Sequence, residues 1–245
     1  MPVVTLSTFI GIFILAIVTF KSITVIGPTQ IGLVRKNFSF KKLHDDSPIA
    51  FKGEAGYQAK LLMPGLRFKL YPIFSVQKFP WVQIPAGEIG VVISQVGAPL
   101  PIGAKSAVYK PIFGNFSNAQ SFLDNAGQKG VQRPVLPPGT LVPLHPIAFL
   151  VLTSREIFGL PVSPEFAAVS RKGGLTPQHF GLTPEQLRVV EISPQGNKDV
   201  LGIVTTLEGD PLPSGDIAGR LGEFKDVAAA EIGGSTDAEL IDMII

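Results

Sequence analysis

The sequence contains no cysteine, which excludes disulfide frameworks, thiolate nucleophiles and cysteine metal sites. Histidine is almost as scarce: His44, His145 and His179 lie far apart, without the spacing of metal ligands. None of the signatures G-x-S-x-G, H-E-x-x-H and G-x-G-x-x-G occurs. Gly103-Ala104-Lys105-Ser106 approaches a phosphate loop, but the second glycine is missing and Pro99 and Pro101 remove N–H groups a phosphate would need. Asp45-Asp46 sits in a polar turn ahead of Pro48 and reads as a solvated loop. The 22 prolines and 26 glycines argue against long helices beyond the N-terminus. A protein without catalysis, cofactor or metal is expected.

What is present is repetition. Ile84-Pro85-Ala86-Gly87-Glu88-Ile89-Gly90-Val91-Val92 matches Ile26 to Val34 at a shift of 58, with Gln30 over Glu88 and Gly32 over Gly90. Gly202 to Pro213 falls on Gly90 to Pro101, keeping both glycines and the Pro-Leu-Pro. A second element, Gly56, Gln58, Leu62, Pro64, Gly65, Leu70, Pro72 and Ile73, recurs 74 residues later as Gly130 to Ile147 and pairs Tyr71 with His145. The second copy thus carries sixteen extra residues between its halves, 74 less 58. The chain divides into an anchor over 1–21, β units over 22–80 and 81–152, a connector over 153–188 and an incomplete third unit over 189–245.

The fold class expected is mainly β with short helices, an α+β arrangement in which an N-terminal transmembrane helix precedes tandem antiparallel units. Leu66-Arg67-Phe68-Lys69-Leu70 alternates, which predicts Leu66, Phe68 and Leu70 facing a core and Arg67 and Lys69 facing away. Pro64-Gly65 and Pro138-Gly139 read as tight turns. Ser163-Pro164 and Thr183-Pro184 place proline at the first position of short helices, and Asn118 to Gly127 reads as another.

Val3 to Phe20 is eighteen residues without a charge, at the short end of what crosses a hydrocarbon core of about 30 Å. The competing readings are a cleaved signal peptide and a buried core helix; no basic residue precedes the run and Thr19-Phe20-Lys21-Ser22 is a poor cleavage site, so an uncleaved anchor is favoured over both. Its membrane-facing side chains would include Val3, Phe9, Ile10, Ile12, Phe13, Leu15, Val18 and Phe20. Lys21, Arg35, Lys36, Lys41 and Lys42 then follow, which predicts a single-pass protein of the cell membrane with its bulk in the cytoplasm. From Lys21 to Pro80 there are ten Lys/Arg against three Asp/Glu, and from Glu191 onward three against eleven. A basic block beside an apolar segment points to lipid, not nucleic acid. Lys21, Arg35, Lys36, Arg67 and Lys69 are candidate contacts to anionic lipid, the alternative being an ordinary solvated strand face.

The apolar leader followed at once by Ile23-Thr24-Val25-Ile26-Gly27-Pro28-Thr29-Gln30-Ile31-Gly32-Leu33-Val34 resembles the opening of the stomatin, prohibitin and flotillin (SPFH, band 7) superfamily. Ile84 to Val92 is similar to the equivalent opening in bacterial flotillin-like members, and Gly130 to Leu150 to the turn before their next strand. The resemblance implies a membrane-bound β-rich module that forms homo-oligomers and organises microdomains or partner proteins. Family members continue into a long coiled coil, and no heptad pattern appears in this chain. Alternatives are a non-catalytic accessory subunit of a larger membrane complex and an exported β-rich protein. An enzyme would require a pocket where His179 or Asp124 meets other titratable groups. Seventeen phenylalanines exceed what small β units readily bury and suggest protein or lipid contacts.

Overall fold

Val, Ile and Phe favour pleated strands, and frequent proline and glycine cut those strands short. The computed structural model is accordingly a mixed α+β chain, rich in β, with several small sheets and few helices. It describes residues 2–41, 43, 47–190 and 192–193, with side-chain surroundings from Phe9 onward. The chain divides into two compact units, Met1–Glu191 and Ile192–Ile245. All that follows concerns the first. Gly202 and nearly all of the expected third unit lie outside the described residues, as do Lys42, His44, Asp45 and Asp46.

Helix α1 (Pro2–Ser22) passes into strand β1 (Ile23–Ile26) without a loop. Ser22 fastens that junction. Its hydroxyl donates to the Val18 carbonyl at 2.6 Å and accepts the Tyr71 amide at 2.9 Å, while its own carbonyl accepts the Lys69 amide at 2.8 Å. Among the described residues no helix is long and apolar enough to cross a membrane.

The first repeat continues through β2 (Gln30–Lys36), β3 (Ile49–Ala50), β4 (Gly56–Gln58), β5 (Gly65–Phe68) and β6 (Phe74–Pro80). β1 pairs with β5 as a two-stranded ribbon, and the others form a sheet in the order β3-β4-β2-β6. The second repeat has β7 (Val82–Gln83), β8 (Val91–Ser94), helix α2 (Ala119–Asp124), β9 (Gly130–Val131), β10 (Leu141–Val142) and β11 (Phe149–Leu152). β12 (Ile157–Phe158) and helix α3 (Pro164–Arg171) follow; β7 pairs with β10 as the second ribbon, and β12-β11-β8-β9 form a sheet in which β9-β8-β11 correspond to β4-β2-β6 and β12 is added at the edge. Short helices stand where proline and asparagine predicted them: Pro164 opens α3, Thr183 caps a turn over Pro184–Leu187, and the Asn118 side chain accepts from the Ser121 amide at the start of α2.

The two repeats share the backbone plan of the ribbon and of three sheet strands, β4-β2-β6 in the first and β9-β8-β11 in the second. Gly32 exchanges both backbone hydrogen bonds with Leu62, and Gly90 does so with Leu136. A Cβ on Gly32 would stand 2.6 Å from Ile26 Cδ1, and one on Gly90 would stand 2.5 Å from Ile84 Cδ1. These glycines are required by close packing of an isoleucine over the strand, not by a special backbone angle. Gln58 donates to the carbonyls of Glu54 and Gly56, and Gln132 to those of Gln128 and Gly130. The Pro-Gly turns are also kept, with φ of 118° at Gly65 and 76° at Gly139, where only glycine is unstrained.

Beyond that turn the correspondence shifts from 74 to 75. Phe74 N–H donates to Leu70 O as Phe149 N–H does to His145 O, and Asn37 N–H donates to Ile73 O as Gln95 N–H does to Ala148 O. Thr140 is the extra residue, so His145 corresponds to Leu70 and not to Tyr71. A run of identical letters across the turn conceals this slip, because Leu-x-Pro-Ile matches in sequence one position away from where the hydrogen bonds match.

One hydrophobic cluster joins Leu33, Ile49 and Ala59 of the first repeat to Val82, Val92, Val142, Leu144 and Phe149 of the second. Phe113, Phe116 and Phe122 of the insertion complete it, their rings meeting each other and Phe149 at 4.8–6.1 Å between centroids. Four phenylalanines are thus absorbed by the sixteen-residue insertion and the strand beneath it. A smaller cluster places Leu187, from the segment after β12, on Leu150 and Leu152.

Candidate functional site

The ribbon β1·β5 reverses the polarity that its alternation suggested. Leu66 is 72% exposed and Phe68 63%, with Leu70 also exposed, whereas Arg67 and Lys69 are half-buried. The period of alternation was right and the side was wrong. Register explains which residues gather on the outer side: Ile23 lies opposite Phe68 and Val25 opposite Leu66, and all four are exposed. Cross-strand neighbours share a face, so these residues form one continuous apolar strip. It begins where α1 ends, and Phe9, Ile10, Ile12, Phe13, Leu15 and Phe20 of that helix are exposed as well. Val18 is half-buried, and the side chain of Val3 lies outside the described residues.

The inner side of the ribbon is basic. Arg67 and Lys69 of the β5 segment face Lys36 of β2 and Lys60 across an open groove of about 590 Å³. Among its lining residues Val34, Leu61, Leu62 and Phe74 are apolar, and no carboxylate lines it among the described residues. Lys36 Nζ donates to Gly53 O at 2.7 Å, and Arg67 donates through Nε to Met63 O and through a terminal nitrogen to Pro64 O. These bonds orient the two cations and leave further N–H groups on each, since an ammonium has three donors and a guanidinium five. The Lys69 ammonium lies over the Phe74 ring at 5.3 Å. Glu54, which lies between Lys52 and Lys60 in sequence, turns its carboxylate to the Lys52 amide.

Of the five candidate lipid contacts, the structure brings Lys36, Arg67 and Lys69 together and separates the other two. Arg35 points to the opposite face of β2 and stacks on Tyr57 at 5.7 Å, as strand alternation requires. Lys21 lies over Tyr71 at 5.1 Å, beside the helix junction. Lys60 was missed. Its signal was available in the repeat, where it sits two residues before Leu62 and corresponds to uncharged Pro134.

His145 is fully buried at the seam between the repeats. Its Nδ1 accepts from the amides of Ile147 and Ala148 at 3.2 and 3.0 Å, which leaves Nε2 protonated and donating to Gln58 O at 3.1 Å. Desolvation lowers its pKa to about 4. It is therefore a neutral structural group at physiological pH. Glu88 is buried too: one oxygen accepts the Ser154 amide at 3.0 Å and the other lies 3.6 Å from Arg155 Nε. His179 is bonded to Thr176 in a helical cap and Asp124 to Gln120, so neither is seen meeting another titratable group. Among the described residues no group of three or more His, Asp or Glu is placed to hold a metal.

No protein family matches the chain, and neither a curated protein nor a solved structure is similar to it.

Proposed function

We propose that the chain is a membrane-anchored, SPFH-like scaffold, with α1 as the anchor and the tandem β units on the cytoplasmic side as the part that meets partners and further copies. The observation that carries this reading is the set of exposed apolar side chains on α1 and on the outer strip of β1·β5 that follows it. Exposed apolar area of this extent is costly in water, at about 25 cal/mol per Å² left unburied, and marks a lipid or protein contact. Among the described residues His145, His179 and Asp124 are engaged in structural bonds, which favours an organising role over turnover. The repeat of Ile-Gly strands and Gly-x-Gln…Pro-Gly turns supports the SPFH-like assignment.

Two measurements test it. The full chain should float with phospholipid vesicles in a density gradient and resist extraction by high salt and alkaline carbonate. In mild detergent its mass should fall on multiples of 26.1 kDa. Release by carbonate would remove the anchor. A single fixed heteromer after copurification would favour the accessory-subunit reading over self-assembly.

A further inference from the structure

We infer that the basic groove of the first repeat is a binding site for the phosphate group of an anionic lipid. The second repeat supplies the internal comparison. Carried across by the hydrogen-bond register, Lys36 corresponds to Ser94, Lys60 to Pro134, Arg67 to Val142 and Lys69 to Leu144. All four charges are absent there, and Ser94, Val142 and Leu144 are buried. The same backbone thus folds without any of the cations and closes over the position. In the first repeat the position is open, and four cations from three separate segments converge on it. With no carboxylate among the described lining residues, the mutual repulsion of these cations favours an anion between them.

The chemistry of the groove narrows the ligand. A guanidinium anchored by its backbone bonds and three ammoniums suit a phosphate's several acceptor oxygens better than a single carboxylate. The apolar lining residues Val34, Leu61, Leu62 and Phe74 suit the glyceryl and first acyl carbons attached to that phosphate. Position agrees: Lys69 N–H and Tyr71 N–H are bonded to Ser22, so the groove wall is fixed to the end of α1. The site rests on the membrane reading for its supply of lipid, not for its geometry.

The test is a calorimetric titration of the full chain in phosphatidylcholine nanodiscs with three soluble probes: dihexanoyl phosphatidic acid, dihexanoyl phosphatidylcholine and inorganic phosphate. Saturable binding of the phosphatidic acid is expected, weakened at least tenfold in K60A/K69A, the two cations without backbone hydrogen bonds among those described. R171A/K172A removes as much charge at the end of α3 and should leave binding unchanged. Equal affinity for phosphatidylcholine, or no effect of K60A/K69A, overturns the site. Equal affinity for inorganic phosphate overturns its assignment to lipid. Vesicle flotation of the same proteins, with the titration repeated in mild detergent, keeps the two ideas apart: a chain that floats and binds no probe loses the site alone, and a chain that binds the probe in detergent yet fails to float loses the anchor alone.

Discussion

The ribbons β1·β5 and β7·β10 have the same strands in the same register and opposite dress. Thr24 opposite Arg67 becomes Val82 opposite Val142, and the inner side changes from a cationic groove to a sealed core. On the outer side Val25 opposite Leu66 becomes Gln83 opposite Leu141, so one exposed apolar pair gains a polar member. The lesson is that this backbone is specified by its glycines, its Gln cap and its Pro-Gly turn, while the polarity of the ribbon is free to be set by what lies against it. In the second repeat that neighbour is the rest of the protein. In the first it is, on our reading, lipid.

Exchanging the inner residues breaks the comparison most severely. Val142→Arg puts an unpaired charge into the shared cluster at a position 8% exposed and should cost roughly 3–5 kcal/mol in denaturant unfolding. Arg67→Val in the open groove should change stability by less than about 1 kcal/mol, the loss of two backbone hydrogen bonds being offset by relief of repulsion. Equal effects from the two substitutions would mean that the groove is not open in solution.

A pH titration separates the repeats next. His145 is neutral when folded down to about pH 4, whereas an unfolded histidine takes up a proton near 6.5. The unfolded state therefore binds more protons inside that window, and stability is whole above pH 6.5 and falls as pH drops toward 4. At about 1.4 kcal/mol per pH unit the loss is about 3 kcal/mol. The equivalent Leu70 does not titrate. H145Q should flatten the difference between pH 6.5 and 4.5 in chemical unfolding, and a slope identical to that of the parent would place the effect elsewhere.

Gly32→Ala and Gly90→Ala probe what the repeats have in common. Each new methyl would press on an isoleucine Cδ1 and on a leucine Cβ across the strand, and each should cost about 1–3 kcal/mol. Because Ile→Val deletes the Cδ1, the doubles G32A/I26V and G90A/I84V should recover part of that loss. Coupling of similar size in both double-mutant cycles would confirm one packing solution used twice.

How far the sequence led follows from the same residues. The repeat was legible because Gly32, Gly90, Gln58, Gln132 and the two Pro-Gly pairs are each demanded by local geometry, and local demands leave a fixed letter at a fixed spacing. Leu66, Phe68 and Leu70 misled because alternation reports a period of two without saying which side is covered; only the packed neighbour decides that, and it differs between the copies. Thr140 was invisible since Leu-x-Pro-Ile is spelled in step on both sides of a one-residue insertion. Lys60 lies in a segment with no strand pattern, so nothing local joined it to Lys36. The burial of His145 depends on Gln58, 87 residues away, which no short-range pattern could announce.

The smallest expected effect on stability belongs to the outer strip, and it sharpens the comparison where the others break it. L66S/F68S removes two side chains that are already largely exposed, so unfolding should shift by no more than about 0.5 kcal/mol. Those same side chains would be desolvated against lipid, at about 25 cal/mol per Å². Their loss should weaken vesicle association of the β units, read as increased release of the chain in alkaline carbonate or as reduced burial of a fluorophore placed at Val25. Leu141→Ser, the matching outer position of the second repeat, should alter neither reading. Leu66 and Leu141 hold the same point of the same backbone plan, so a difference between L66S alone and Leu141→Ser reports what the first ribbon touches and the second does not.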